Sequence, residues 1–425
     1  MKRTLWIFAV LLVIAIGTIV ALFLVRKSKA LDQYVHSDSQ AVVTISLDDL
    51  MLDNLDQLFK RHAVDRVAPT SRLLDIKNWW RAGVGIPAQI HFFTLPDNPL
   101  TFYTIQKITN PAKWDAFLKK HVTDTIQIIE VSEQQLSCAR LSSGVSSLYD
   151  NQYLLLRLAP AKQDDDREML AIWEEKDNWV YVRDFNFSTT ENPKAHVVYR
   201  HTDGTFQLFA NLSNDYISLS GDWQLASDIP TIAQAREPEI NDLFISFSSN
   251  LPLPETSFIT KFFSTFASIE ADELVGNAYD YVDVYVSADL TRQQDTVIVY
   301  DYDEDFNSIE KKEMQEIKVP VIESAWKGSE QLAAALPEKL FYRLHRYASD
   351  SLVILSTKED AEFSTTFRPS SSPFQLAVDF RNIPVSWTND ILRSLRQQAL
   401  QIDIESSALS QRTLGITGRI RYKEK

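Results

Sequence analysis

Residues Leu5 to Val25 run for 21 positions without a charged side chain. At a rise of about 1.5 Å per residue, a helix of that length crosses a hydrocarbon layer of about 30 Å, so this stretch constrains the chain more than any other. It outruns the apolar segment of about 7–15 residues in a cleaved leader. Arg26, Lys27 and Lys29 also stand where a cleavage site needs small neutral residues. The expectation is a retained transmembrane signal anchor over residues 1–30, with membrane contact through residues 5–25. Lys2 and Arg3 balance the basic residues behind the run, so charge does not orient it. The short leader does: so brief a segment stays behind while the long remainder is exported. In a bacterium this predicts a single-pass inner-membrane protein with residues 31–425 in the periplasm.

Charge narrows the partners. The chain holds 43 Lys and Arg against 57 Asp and Glu, and five of the basic residues but no acid fall in the first 30 positions. The remainder is strongly acidic and repels phosphate backbones, which argues against nucleic acid as a partner. A single cysteine, Cys138, allows no internal disulfide, so packing must hold the folded units together. Only ten glycines occur in 425 residues, and GxGxxG, GxxxxGK[ST] and GxSxG are all absent. Nucleotide-binding loops and the hydrolase nucleophile elbow are therefore unsupported.

The length suits two or three folded units, and the order of its patterns suggests one unit used twice. AVVTISL at 41–47 reads as a buried strand, followed by a helix with Leu52, Leu55, Leu58 and Phe59 on one side. NDLFISFS at 241–248 and an apolar-rich helix over 256–269 repeat that order 200 positions later. Strand 102–108, then Asn110 as N-cap, Pro111 at the first helical position and Trp114, Phe117 and Leu118 inward, is matched by strand 296–300 and a helix over 308–317. Ser132-Glu133-Gln134 recurs as Ser329-Glu330-Gln331, and the runs 153–156 and 216–221 recur at 352–355 and 412–418. A helix over 387–400 has no equivalent in the first half. The expected fold class is α+β: an N-terminal transmembrane helix followed by two tandem, mainly antiparallel sheet-plus-helix repeats over 31–236 and 237–425.

Chemistry-bearing motifs are thin. Asp301, Asp303 and Asp305 have the first spacings of a calcium loop, but Phe306 stands where the turn needs glycine and Lys312 where a bidentate glutamate belongs. They are the candidate metal ligands, and a solvated acidic turn suits them better. Ser324-Ala325-Trp326-Lys327 fits S-x-x-K, yet no K-T-G follows, and Ser308 to Lys311 fits it too. The seven histidines make no HExxH, and no cofactor is expected. Phe258, Phe262, Phe263 and Phe266 share a helical face, which suits a core. Adjacent Trp79 and Trp80 on a strand would point to opposite faces. Trp79, Trp80, Phe258 and Phe262 are the candidate partner contacts.

The anchor followed by AVVTISLDDL, and the unit TFYTIQKITNPAKWDAFLKK, resemble a loose class of bacterial envelope proteins common in Bacteroidetes, with duplicated α+β ectodomains. Many of that class begin with a lipoprotein cysteine, which this chain lacks. The resemblance covers the organisation of most of the ectodomain, implies export and lends no catalytic residue. The expected function is a non-enzymatic, membrane-anchored scaffold or binding ectodomain whose partner is another envelope protein or polymer. The alternatives are a hydrolase with a dispersed site and a lipid-handling envelope protein.

Overall fold

A computed structural model of the chain describes residues 21–53, 82–121, 126–131, 134–142, 144–159, 167–185, 194–213, 215–252, 260, 270–302, 308–339, 342–349, 351–359, 363–384 and 390–422. It divides into two compact units, 1–214 and 215–425. The division falls after Asn214 rather than after Arg236, because strand Tyr216–Gln224 pairs along its whole length with Thr413–Arg421.

Unit 1 carries β1 (Tyr34–His36), β2 (Ala41–Ser46), β3 (Gln89–Leu95), β4 (Asn98–Lys107), β5 (Gln127–Val131), β6 (Gln134–Ser142), β7 (Val145–Tyr149), β8 (Tyr153–Leu158), β9 (Trp179–Tyr181), β10 (Val197–His201) and β11 (Phe206–Leu212). Antiparallel pairing runs β7-β8-β4-β3-β2-β10-β11, with β6 and then β5 added beyond β7. Tyr-Leu-Leu-Leu of β8 is apolar without alternation because both its faces are covered. Leu155 joins Val42, Phe93, Tyr103 and Trp173 on one side, while Leu154 and Leu156 meet Trp114, Phe117 and Leu118 on the other. The helix Pro111–His121 that supplies those three residues starts where Asn110 Oδ1 accepts from Lys113 N at 3.1 Å.

Unit 2 carries β12 (Tyr216–Gln224), β13 (Ala233–Arg236), β14 (Leu243–Ser249), β15 (Ala278–Tyr302), β16 (Ser308–Gly328), β17 (His345–Ser349), β18 (Leu352–Ser356), β19 (Phe367–Ser370), β20 (Phe374–Asp379), β21 (Gln401–Ala408) and β22 (Thr413–Arg421). Antiparallel pairing runs β17-β18-β16-β15-β14-β20-β21-β22-β12. Its first seven strands follow the chain order of the seven in unit 1. β13 and β19 form a separate two-stranded ribbon. A short helix, Glu330–Ala335, again follows the third strand, capped by Ser329 Oγ accepting from Leu332 N at 3.3 Å.

Four expectations are corrected. Among the described residues no helix is long and apolar enough to cross a membrane, which stands against the expected transmembrane signal anchor. Of the apolar run, residues 21–25 are described and residues 5–20 lie outside the described set. Residues 21–30 are helical, and Arg26 and Lys27 are tied back to Asp48 at 2.9 Å and Asp49 at 2.8 Å in the helix Leu47–Asp53. The α+β class gives way to a mostly antiparallel sheet architecture, with strand exceeding helix by more than two to one. The expected helix over 308–317 is strand: its Glu, Lys, Met and Gln favour helix, but residue-by-residue pairing with β15 overrides that preference. The recurring Ser-Glu-Gln also joins unlike places, because Gln134 opens β6 whereas Ser329 caps a helix.

Candidate functional site

The residues singled out by sequence do not assemble into a site. Trp79, Trp80, Phe258, Phe262, Asp303 and Asp305 lie outside the described residues, and Asp301 sits near the end of β15. No group of three or more His, Cys, Asp or Glu among the described residues is placed to hold a metal. Ser324 and Lys327 both lie on β16, where a spacing of three turns them to opposite faces. Ser324 Oγ is engaged by Asp283 O at 2.6 Å, and Lys327 Nζ reaches Gln234 Oε1 at 2.6 Å instead. In unit 1 an aromatic box of Trp173, Trp179 and Tyr153 is filled by the chain's own Lys176, 4.3 Å from the Trp173 ring. His91, on β3, is buried; Thr44 Oγ1 lies 2.9 Å from its Nδ1, and burial pushes its pKa down to about 4.

A fully buried set of charges meets in unit 2 around Arg236. β-strand alternation sets Tyr281, Asp283 and Tyr285 of β15 on one face, and the register places Asp283 opposite Ala325 and Tyr285 opposite Glu323 of β16. Arg236, at the end of β13, lies over that face. Its Nε and Nη2 donate to the two oxygens of Asp283, each at 2.9 Å, and its Nη1 donates to Glu323 Oε1. The Tyr281 hydroxyl donates to Asp283 Oδ2 at 2.8 Å, the Tyr285 hydroxyl to Arg236 O at 2.8 Å, and Ala325 N to Asp283 Oδ1 at 2.7 Å.

None of the three charged side chains is more than 1% exposed, so no solute reaches them. Burial pushes the Asp283 and Glu323 carboxyls up, with Arg236 pulling the other way. Burial opposes the charge on Arg236, but Asp283 and Glu323 outweigh it and hold the guanidinium protonated. The network is a fastener that ties β15, β16 and the β13–β19 ribbon together. Removing one partner of such a set costs about 3–5 kcal/mol, because it strands a buried charge. The sequence signal for it was the alternation Tyr281-Val282-Asp283-Val284-Tyr285, an acid recurring on a strand face otherwise given to aromatics.

What the fastener secures is an arm. At Val286↔Ile322 the β15–β16 pairing breaks register and resumes at Leu290↔Pro320, so β15 carries two extra residues there, a bulge set against the proline. From that point pairing continues to Tyr302↔Ser308, a projection of about 40 Å at roughly 3.3 Å per residue. Its root is clamped: Gln293 Nε2 donates to Arg343 O and Thr357 O, both at 2.7 Å, and Thr357 Oγ1 donates to Pro320 O at 2.7 Å. A small open cleft of about 140 Å³ at the root is lined by Arg292, Gln293, Glu316, Arg343, His345 and Glu359, with Arg292 paired to Glu316 at 3.1 Å. Outward of the clamp, β15 and β16 pair only with each other among the described residues. There Met314 is 66% and Ile298 48% exposed, and Thr296 Oγ1 lies 3.3 Å from Met314 Sδ.

Comparison of this chain with protein-family models, with curated proteins and with solved structures finds no match.

Proposed function

We propose that this protein is a non-catalytic binding scaffold whose working surface is the β15–β16 arm. One observation carries the reading: beyond the Gln293 clamp a two-stranded ribbon of about 30 Å, with both long edges free of strand pairing among the described residues, extends from the sheet it grows from. An isolated hairpin of that kind is marginal in water, and edges of that kind pair with another chain unless blunted. Here the root is fastened by the buried Arg236 network and by Gln293, while Met314 and Ile298 stay exposed. The strong helix formers of residues 310–318, held as strand, are the kind of conflict between local preference and fold that gathers at working sites. The buried carboxyls Asp283 and Glu323 are locked inside the fastener against Arg236, out of reach of a substrate, which disfavours a hydrolase built on them.

The test is a photo-crosslinking residue placed at Ile298 of the full-length chain in cells, compared with the same residue at exposed Leu409. The expected result is protein adducts at position 298 that are absent at 409. Equal capture at both positions overturns the reading.

A further inference from the structure

The outer edge of β16 is self-complementary. Between residues 310 and 318 the chain reads Glu-Lys-Lys-Glu-Met-Gln-Glu-Ile-Lys. Turned antiparallel against a copy of itself about Met314, this strand sets Lys312 opposite Glu316 of the copy, and Glu316 opposite Lys312. The same register sets position 310, a glutamate, opposite Lys318, and Met314 opposite Met314. Lys312, Glu316 and Lys318 have even parity, so they share the face that carries Met314.

Neighbouring registers fail. Centred on residue 313, the pairing sets Glu313 against itself and position 310 against Glu316, both like-charged. Centred on 315, it sets Lys312 against Lys318. Lysines on a free edge ordinarily repel other strands, and here the glutamates at the mirrored positions turn that repulsion into selection of one register.

From this edge we infer that the partner of the arm is a second copy of this chain, joined by antiparallel β16–β16 pairing across a two-fold axis at Met314. The inference rests on the reading of the arm as the binding surface. Lys312, Met314, Glu316 and Lys318 are all exposed, Glu316 meeting Arg292 through Oε1 only, and the order β15-β16-β16-β15 converts two marginal hairpins into one four-stranded sheet. A two-fold contact of this kind closes on itself and gives dimers, not open arrays.

Cysteine chemistry reads it out directly, because the native Cys138 is buried. Cα atoms facing each other across an antiparallel pair lie about 4.5–5.5 Å apart, within the range of a disulfide. The full-length chain carrying Met314→Cys, dispersed in nonionic detergent, is oxidised alongside a control carrying Ile232→Cys, which is also exposed. Met314→Cys is expected to form covalent dimers roughly tenfold faster. Adding Lys312→Glu, or Glu316→Lys, brings the rate down to that of the control. Mixing those two charge variants, or combining both changes on one chain, restores it. The inference is overturned if Met314→Cys dimerises no faster than Ile232→Cys, if the single charge changes have no effect, or if the swapped pair does not recover. Protein adducts at Ile298 without dimers at position 314 would remove the self-pairing and leave the binding reading standing; adducts at neither position would remove both.

Discussion

The two units pair seven strands in the same order, yet the hairpin formed by their second and third strands differs in length. In unit 1, β3 and β4 span Gln89–Leu95 and Asn98–Lys107 and turn back at the sheet margin. In unit 2, β15 and β16 span 25 and 21 residues and leave the sheet as an arm. Both hairpins slip register before their turns, between Phe93 and Leu95 in one and between Val286 and Leu290 in the other. The sheet order is what packing preserves, and the hairpin beyond the slip is free to lengthen without disturbing either core. The units also bury different polar groups near that hairpin: His91 and Arg157 in unit 1, and Arg236 with two carboxyls in unit 2.

The sharpest way to separate the units is to remove Arg236. Arg236→Ala leaves Asp283 and Glu323 buried without their cation and should cost unit 2 about 3–5 kcal/mol. Hydrogen exchange is expected to lose protection in β14, β15 and β16 while β2, β3 and β4 keep theirs. Equal loss in both sets would mean that the network is not confined to unit 2.

Acid should act on the units in opposite senses. His91 is depressed from 6.5 to about 4, so the unfolded chain binds the extra proton between those values. The stability it lends unit 1 is full above 6.5 and falls by about 3 kcal/mol as pH drops to 4. Asp283 and Glu323 are raised, so the folded state holds protons more tightly than the unfolded chain. Their effect on unit 2 is most favourable at low pH and is lost as pH rises through their raised values. Urea midpoints of wild type and His91→Gln between pH 4 and 7 check the first half: the variant should lack most of the slope.

The helix that follows the third strand tests how alike the units are. Asn110→Ala and Ser329→Ala each remove a side-chain cap and should each cost about 1 kcal/mol. A much larger cost for one would show that its helix carries more of its unit. The smallest expected change in stability comes from cutting the arm to the length of its unit 1 counterpart. Replacing residues 294–316 with a two-residue turn leaves the Gln293 clamp and the fastener in place, and should shift the thermal midpoint of unit 2 by less than about 3 °C.

Some of this was open to reading from residues alone. AVVTIS becomes strand β2, and the continuous apolar run YLLL becomes the doubly covered strand β8. Asn110-Pro111 marks a helix start because one side chain accepts from the first turn and the proline has no N–H to lose. The arm was misread. Strand 296–300 was legible, but residues 308–317 look like a helix, since Glu, Lys, Met and Gln favour helix wherever no neighbouring strand intervenes. Arg236 looked like part of a charged boundary, because its partners stand 47 and 87 positions away.

The sequence by itself determined which short segments must be buried, where helices begin, and that the charge and apolar content of each half could support a packed unit. These are properties of neighbours along the chain, set by side-chain period and local hydrogen bonding. Only the tertiary structure decided that a helix-favouring segment becomes β16, that an arginine is sealed between two strands, and that one hairpin outgrows its counterpart. Each of those outcomes depends on a partner strand brought near by the fold, whose hydrogen bonds and burial outweigh a local preference of a few tenths of a kcal/mol per residue.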